Sequence, residues 1–243
     1  MRLVLPLVAL LLVYALTQAA RNGLADVYAR PATNFLQDKR DADDVLTDAE
    51  RQVIISNLGK ALKLAPGNPV TLTELGRVHR IKLEIEDLDT AEVERHGNAA
   101  LDYYQQAARL RPAWPWGWRA MARVRYELYE DDSAAYHEAL VLATQFGPWE
   151  NSVQREVAEL GVDTWESLNP AAKLAVAGMI ERGLLRQPAA IEDIMDFDEY
   201  WQAVCFDTTL DIAASQSSVA TNRFPRLHQR CAAFATAQAQ ELT

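Results

Sequence analysis

Cysteine is scarce in this chain: among 243 residues only Cys205 and Cys231 carry thiols, and neither belongs to a Cys-x-x-Cys pair. That spacing offers no clustered thiols for a structural zinc or a redox dithiol. An oxidising compartment would join the two in one disulfide, whereas a reducing one would leave two buried thiols. Positive charge is also short, with 24 Lys and Arg against 34 Asp and Glu, a net charge of -10 and a pI near 4.9. A nucleic-acid surface needs clustered cations to displace counterions from phosphates, so no nucleic-acid partner is expected. No stretch of alternating β-branched residues marks a strand, and no Gly-x-Ser-x-Gly, P-loop or dinucleotide fingerprint is present. His79, His96, His137 and His228 include no i, i+4 pair, and so offer no two-histidine metal face on one helix. No metal and no cofactor is expected, and the chain reads as a non-enzyme.

What is present, 49% hydrophobic and 24% charged residues, is the composition of a packed globular protein of one or two domains. Leu3 to Ala20 is 18 residues without a charge, after a lone Arg2. As a helix it spans roughly 27 Å, close to a bilayer core. A signal peptide cleaved after Ala19 or Ala20 would put Thr17 or Gln18 at the minus-three position, where a small residue is favoured. An uncleaved anchor is therefore the reading adopted. With so short an N-terminal tail, the expectation is a single-pass protein of the bacterial inner membrane, held through residues 3–20, with its folded body in the periplasm. Residues 1–27 read as anchor or signal segment, and 28–46, which takes in most of the aspartate-rich stretch from Asp38 to Asp48, as a tether.

Internal repetition dominates the middle of the chain. Ala61 to Pro66, Ala107 to Pro112 and Ala143 to Pro148 share the form Ala-x-x-x-x-Pro. Three positions before those alanines lie Leu58, Tyr104 and Leu140; seven before lie Ile54, Ala100 and Tyr136. After the prolines come Leu72, Leu75 and Gly76, then Trp118, Met121 and Ala122, then Gln154, Val157 and Ala158, the last set matching in part. Bulky and small residues in this order resemble a tetratricopeptide (TPR) repeat over residues 47–160. The prolines are 46 and 36 residues apart, against about 34 in that family, and the surplus falls between His79 and Ala100 and around Asp131 and Asp132. The resemblance implies an all-α fold: an N-terminal apolar helix, a degenerate TPR-like α-solenoid and, over 161–243, a C-terminal helical region that caps it.

Punctuation supports the helices themselves. Thr47-x-x-Glu50 is a capping box, and Asn68-Pro69 is an N-cap followed by proline in the first turn. Helices are expected near 70–86, 91–110, 114–128, 133–146 and 149–160. Beyond Gly161 the repeat register is lost, while Asn169-Pro170 opens a helix expected to end at Gly183 and Pro225 opens another running towards Gln240 with Leu227, Cys231 and Phe234 on one face.

Trp114-Pro115-Trp116-Gly117-Trp118 is the most unusual local sequence. Trp118 takes a packing position of the repeat. Trp114 and Trp116 have no such place; exposed indoles stack on sugar rings or anchor a partner helix, the alternative being packing against a neighbouring repeat. Trp149 stands at a comparable corner. Arg109, Arg111, Arg119, Arg123 and Arg125 form a local basic patch, suited to a carboxylate-bearing partner or to a solvated helix face. Trp114, Trp116, Arg119, Arg123 and Trp149 are thus the candidate binding residues.

Glu166-Ser167-Leu168-Asn169-Pro170 resembles the Glu-Ser motif of lytic transglycosylases, in which the Glu is a general acid. Its proline is one residue closer, and the Gly-Leu-Met-Gln and Ala-Tyr-Asn segments of that family are absent; a capped helix start is the simpler account. Glu192, Asp193, Asp196, Asp198 and Glu199 offer either paired carboxylates or a solvated acidic face.

The apolar N-terminus, the TPR-like middle with Leu110 to Trp118, the Phe146-Gly147-Pro148-Trp149-Glu150 corner and the helical tail together resemble the VpsP-like family of bacterial exopolysaccharide-biosynthesis proteins. That resemblance implies a non-catalytic, membrane-associated scaffold whose partners are proteins of polysaccharide synthesis or export. The alternatives are a polysaccharide- or peptidoglycan-active enzyme using Glu166 and a carbohydrate-binding module using the tryptophans.

Overall fold

The computed structural model describes residues 4–41, 45–85, 88–208, 210 and 223–241, and all regular structure among them is helical. The helices are α1 (Val4–Asp41), α2 (Asp48–Leu64), α3 (Pro69–Leu83), α4 (Thr90–Leu110), α5 (Pro115–Glu127), α6 (Ala134–Phe146), α7 (Asn151–Asp163), α8 (Pro170–Arg186), α9 (Pro188–Ile194), α10 (Asp198–Cys205) and α11 (Pro225–Glu241), with a 3-10 turn at Trp165–Ser167. The all-α fold with a long apolar N-terminal helix is the one expected. Packing divides the chain into two units, Met1–Pro112 and Ala113–Thr243, so the division falls inside the 47–160 repeat region.

Local chemistry sets the helix ends. The Thr47 hydroxyl accepts from the Glu50 amide at 3.3 Å while the Thr47 amide donates to the Glu50 carboxylate at 2.9 Å, a complete capping box. The hydroxyl, the amide and then Lys39 hold the Glu50 carboxyl down at about 2. Asn68 caps α3 by accepting from the amides of Val70 and Thr71. At the C-termini, the residue before each proline leaves the helix because the ring disfavours αR there. Ala65, Arg111 and Gly147 stand at φ/ψ of -131/75, -138/69 and -126/43, and their amides donate back to the carbonyls of Ala61, Ala107 and Ala143.

A fourth such ending follows. Gln187, before Pro188, has φ/ψ of -147/58, and its amide donates to the Gly183 carbonyl at 2.8 Å. Ile180 and Val176 occupy the places three and seven before Gly183, and both are fully buried. The register therefore continues to Pro188, 40 residues after Pro148, which corrects its expected loss at Gly161. Glycine stands where the other endings carry alanine, and α8 runs through Gly183 to Arg186. Gly183 is small because α9 crosses it: a Cβ there would lie 2.5 Å from Ile191 Cγ1.

In the first unit α1 packs antiparallel on α2, α2 on α3, and α3 closely on α4. Ala32, Leu36, Leu46, Ile54, Leu58, Leu75 and Val78 form one core. Leu72 and Leu75 face inwards, and Gly76 lies under the Tyr104 ring, where an added Cβ would be 2.8 Å from Cε1. The expected tether over 28–46 is replaced by helix as far as Asp41. Ala25, Ala32 and Leu36 recur on one face and are 2–3% exposed. Arg21 donates to the Leu64 carbonyl at one end of the α1–α2 pair, and Lys39 meets Glu50 at the other.

The first half of α1 is different. Leu7, Leu10, Leu11, Leu12, Val13, Tyr14 and Leu16 are all exposed. The helix holds a stretch long and apolar enough to cross a bilayer, and it passes without interruption into the half that packs on α2.

In the second unit α5 pairs with α6 and α7 with α8. Gln154, Val157 and Ala158 are fully buried, so the third set of repeat positions faces the core although its first residue is polar. The Gln154 side chain reconciles this by donating to the Pro148 carbonyl at 2.8 Å. The buried Glu181 of α8 accepts from the Arg226 and Leu227 amides at 2.9 and 2.8 Å, capping α11 from outside. Cys205 and Cys231 are joined in a disulfide, with Cα atoms 5.3 Å apart. Leu227 and Cys231 are buried and Phe234 half-buried, the face expected of α11.

Candidate functional site

The tryptophan segment forms the entry to α5. Pro115 holds the first helical position and Trp114 precedes it with extended backbone, so the two indoles that flank the proline are thrown to the same end of the helix. Trp114 and Trp116 rings lie 4.6 Å apart between centroids. The Trp116 indole donates to the Ser152 hydroxyl of α7 at 3.2 Å, which ties it to the scaffold, whereas Trp114 is 44% exposed. Trp118 is half-buried.

Trp149, at the α6–α7 corner, is 54% exposed. The two corners are pressed together, because a Cβ on Gly147 would meet Pro115 Cβ at 2.6 Å. Exposed apolar rings at adjoining corners are the part of the surface that can bury area against a partner.

The arginines contribute less free charge than the sequence implies. Arg119 is ion-paired with Glu156 of α7, and Arg123 reaches Glu156 at 3.1 Å and Glu159 at 2.9 Å. These pairs join α5 to α7. Arg125 pairs with Glu130, just beyond the end of α5, while Arg109 and Arg111 belong to the first unit. A carboxylate-bearing partner would have to displace an internal carboxylate, so the surface that remains is aromatic rather than basic.

Glu166 is exposed on the 3-10 turn, and Asn169 beside it caps α8 by accepting from the Ala172 amide at 2.9 Å. In the acidic run, Glu192 is ion-paired with Arg230 of α11. Asp193, Asp196 and Glu199 are exposed, and the Asp198 side chain lies outside the described residues. Among the described residues no group of three or more His, Cys, Asp or Glu is placed to hold a metal ion.

Two polar constellations had no signal in the sequence. Asp163 of α7 accepts from Tyr126 of α5 at 2.5 Å and from Tyr200 of α10 at 2.8 Å, beside the exposed Phe197. The hydrogen bond to Asp163 pushes the Tyr126 phenol up to about 12; burial, then the same carboxylate, does so for Tyr200. The second is a contact between His79 of α3 and His96 of α4, whose Nδ1 atoms lie 3.0 Å apart. A search for histidine pairs within one helix cannot find two that meet across helices.

In comparison with known proteins, no protein-family model matches the chain and no curated protein matches it.

Proposed function

We propose that this chain is a membrane-anchored, non-catalytic helical adaptor that docks a protein partner on the corner surface of Trp114 and Trp149. The observation that carries this reading is the continuity of α1, whose exposed apolar half runs directly into a half built into the first unit. A helix of that kind makes an anchor and a foundation at once. The Cys205–Cys231 disulfide favours an oxidising compartment, hence a body outside the cytoplasm. In a bacterium that is the periplasmic side of the inner membrane.

The repeated Ala-x-x-x-x-Pro endings support the likeness to TPR scaffolds, which bind peptides or helices rather than catalyse. The likeness to the VpsP-like layout supports partners in exopolysaccharide synthesis or export. Trp116 and Arg119 are engaged inside the unit, so the informative variant is Trp114→Ala with Trp149→Ala. Crosslinking in the native membrane should capture a polysaccharide-synthesis or export protein with the wild type, and substantially less of it with the double variant at unchanged helicity. Equal capture by both would refute the assigned surface.

A further inference from the structure

A polar pocket in the first unit is walled by three helices. α2 supplies Asp48 and Arg51, α3 His79 and Lys82, and α4 Glu92, Arg95 and His96, around a cavity of about 300 Å³. That is the lower end of the range for small-molecule sites, about 300–1,000 Å³.

Arg51 is 1% exposed. Two of its nitrogens donate to the carbonyls of Val78 at 2.9 Å and Leu46 at 3.0 Å, fixing the guanidinium. Its buried Nε has no hydrogen-bond acceptor, the Asp48 carboxylate standing 3.6 Å away. The same Asp48 oxygen takes the hydrogen bond of Lys82, itself only 7% exposed, at 3.0 Å. One largely exposed carboxylate thus serves two buried cations.

The histidines supply neutral donors. Arg95 lies 3.3 Å from His96 Nε2, and a guanidinium only donates, so that nitrogen accepts and the His96 proton sits on Nδ1. From there it donates to His79 Nδ1 at 3.0 Å, which leaves the proton of His79 on Nε2 as a further donor. Burial above all, reinforced by the neighbouring cations, lowers His79 to about 4 and His96 below its ordinary value. Tyr103 of α4 stacks on His79 at 5.9 Å.

We propose that this pocket binds a small oxyanion of at least two negative charges, a phosphate group or a dicarboxylate, between Arg51, Lys82 and Arg95 with His79 as a neutral donor. Asp48 pairs with Lys82 and Glu92 with Arg95, so the three cations leave one net positive charge in the pocket, within a chain of net charge -10, and the anion shares Lys82 and Arg95 with those carboxylates. A metal ion on the facing histidines would meet that same excess as repulsion. An anion also provides the acceptor that Arg51 Nε lacks, and bidentate or charge-assisted contacts are the strongest available to it. Asp48 and Glu92 are the carboxylates that oppose the anion, and Arg51, Lys82 and Arg95 the cations that share its charge.

The test is calorimetric titration of the full chain in detergent with sodium phosphate and, separately, with succinate. Each titration runs to about 10 mM, ten times the constant of a millimolar site. Saturable binding of at least one anion is expected, weakened roughly tenfold or more in Lys82→Gln with Arg95→Gln. Arg95→Gln alone, at a side chain 66% exposed, tests the same loss without disturbing the buried Lys82. Preference between the two anions identifies the source of the charge. Binding of neither anion, or binding that both variants retain undiminished, would overturn the proposal.

Discussion

Replacing Gly76 by alanine tests the close approach on which the α3–α4 pair is built. Alanine is the better helix former by about 1 kcal/mol in a helix interior, so on propensity alone the variant should be more stable. The new Cβ, however, would lie 2.8, 2.9 and 3.0 Å from Cε1, Cδ1 and Cζ of Tyr104. That ring is 2% exposed and cannot swing into solvent. Overpacking of this kind costs about 1–3 kcal/mol, which leaves a net loss of up to about 2 kcal/mol. Gly59 of α2 is the control, because a Cβ there meets nothing within 4 Å, and Gly59→Ala should gain up to about 1 kcal/mol. The two substitutions are chemically identical, so their difference of about 1–3 kcal/mol isolates the contact. Urea titration followed by far-ultraviolet circular dichroism reads both. A rise in midpoint for Gly76→Ala equal to that for Gly59→Ala would refute the reasoning.

Reducing the disulfide, or Cys205→Ala with Cys231→Ala, releases a crosslink between residues 26 apart and should cost about 3.5 kcal/mol on chain entropy, read as a lower thermal midpoint. Glu50, held at about 2 in the fold against 4.5 when unfolded, contributes stability above pH 4.5 that is lost as pH falls towards 2; Glu50→Gln should flatten that slope, seen in urea midpoints at about pH 5 and about pH 3. Trp114→Ala with Trp149→Ala should reduce partner capture in the crosslinking experiment without changing stability by more than about 1 kcal/mol, since about half of each side chain is exposed.

Helix ends were the most legible part of the sequence, because proline and N-cap chemistry act within a few residues. The capping box at Thr47 and the Asn68-Pro69 start are explicit in the sequence, and α3 to α6 fall within a few residues of their expected spans. Failures came where partners lie far apart in sequence. Residues 28–41 look like a polar tether until α2 is there to receive Ala32 and Leu36. Gly183 hid a fourth helix ending, since its smallness answers to Ile191 rather than to the alanine pattern. At the candidate site the exposed indoles were legible as an oddity of composition, whereas the neutralisation of Arg119 and Arg123 by Glu156 and Glu159 was not. No local rule connects α5 to charges more than thirty positions on. The Asp163 pair of phenols and the His79–His96 contact were invisible for the same reason.

The proposed anchoring requires α1 to act as one helix that is both membrane anchor and part of the folded body. Intact mass measured on the protein that stays in the membrane pellet after alkaline carbonate extraction tests this most directly. The account predicts a chain that still carries Leu3 to Ala20. A chain beginning at Ala20 or Arg21 and released into the carbonate supernatant would contradict it.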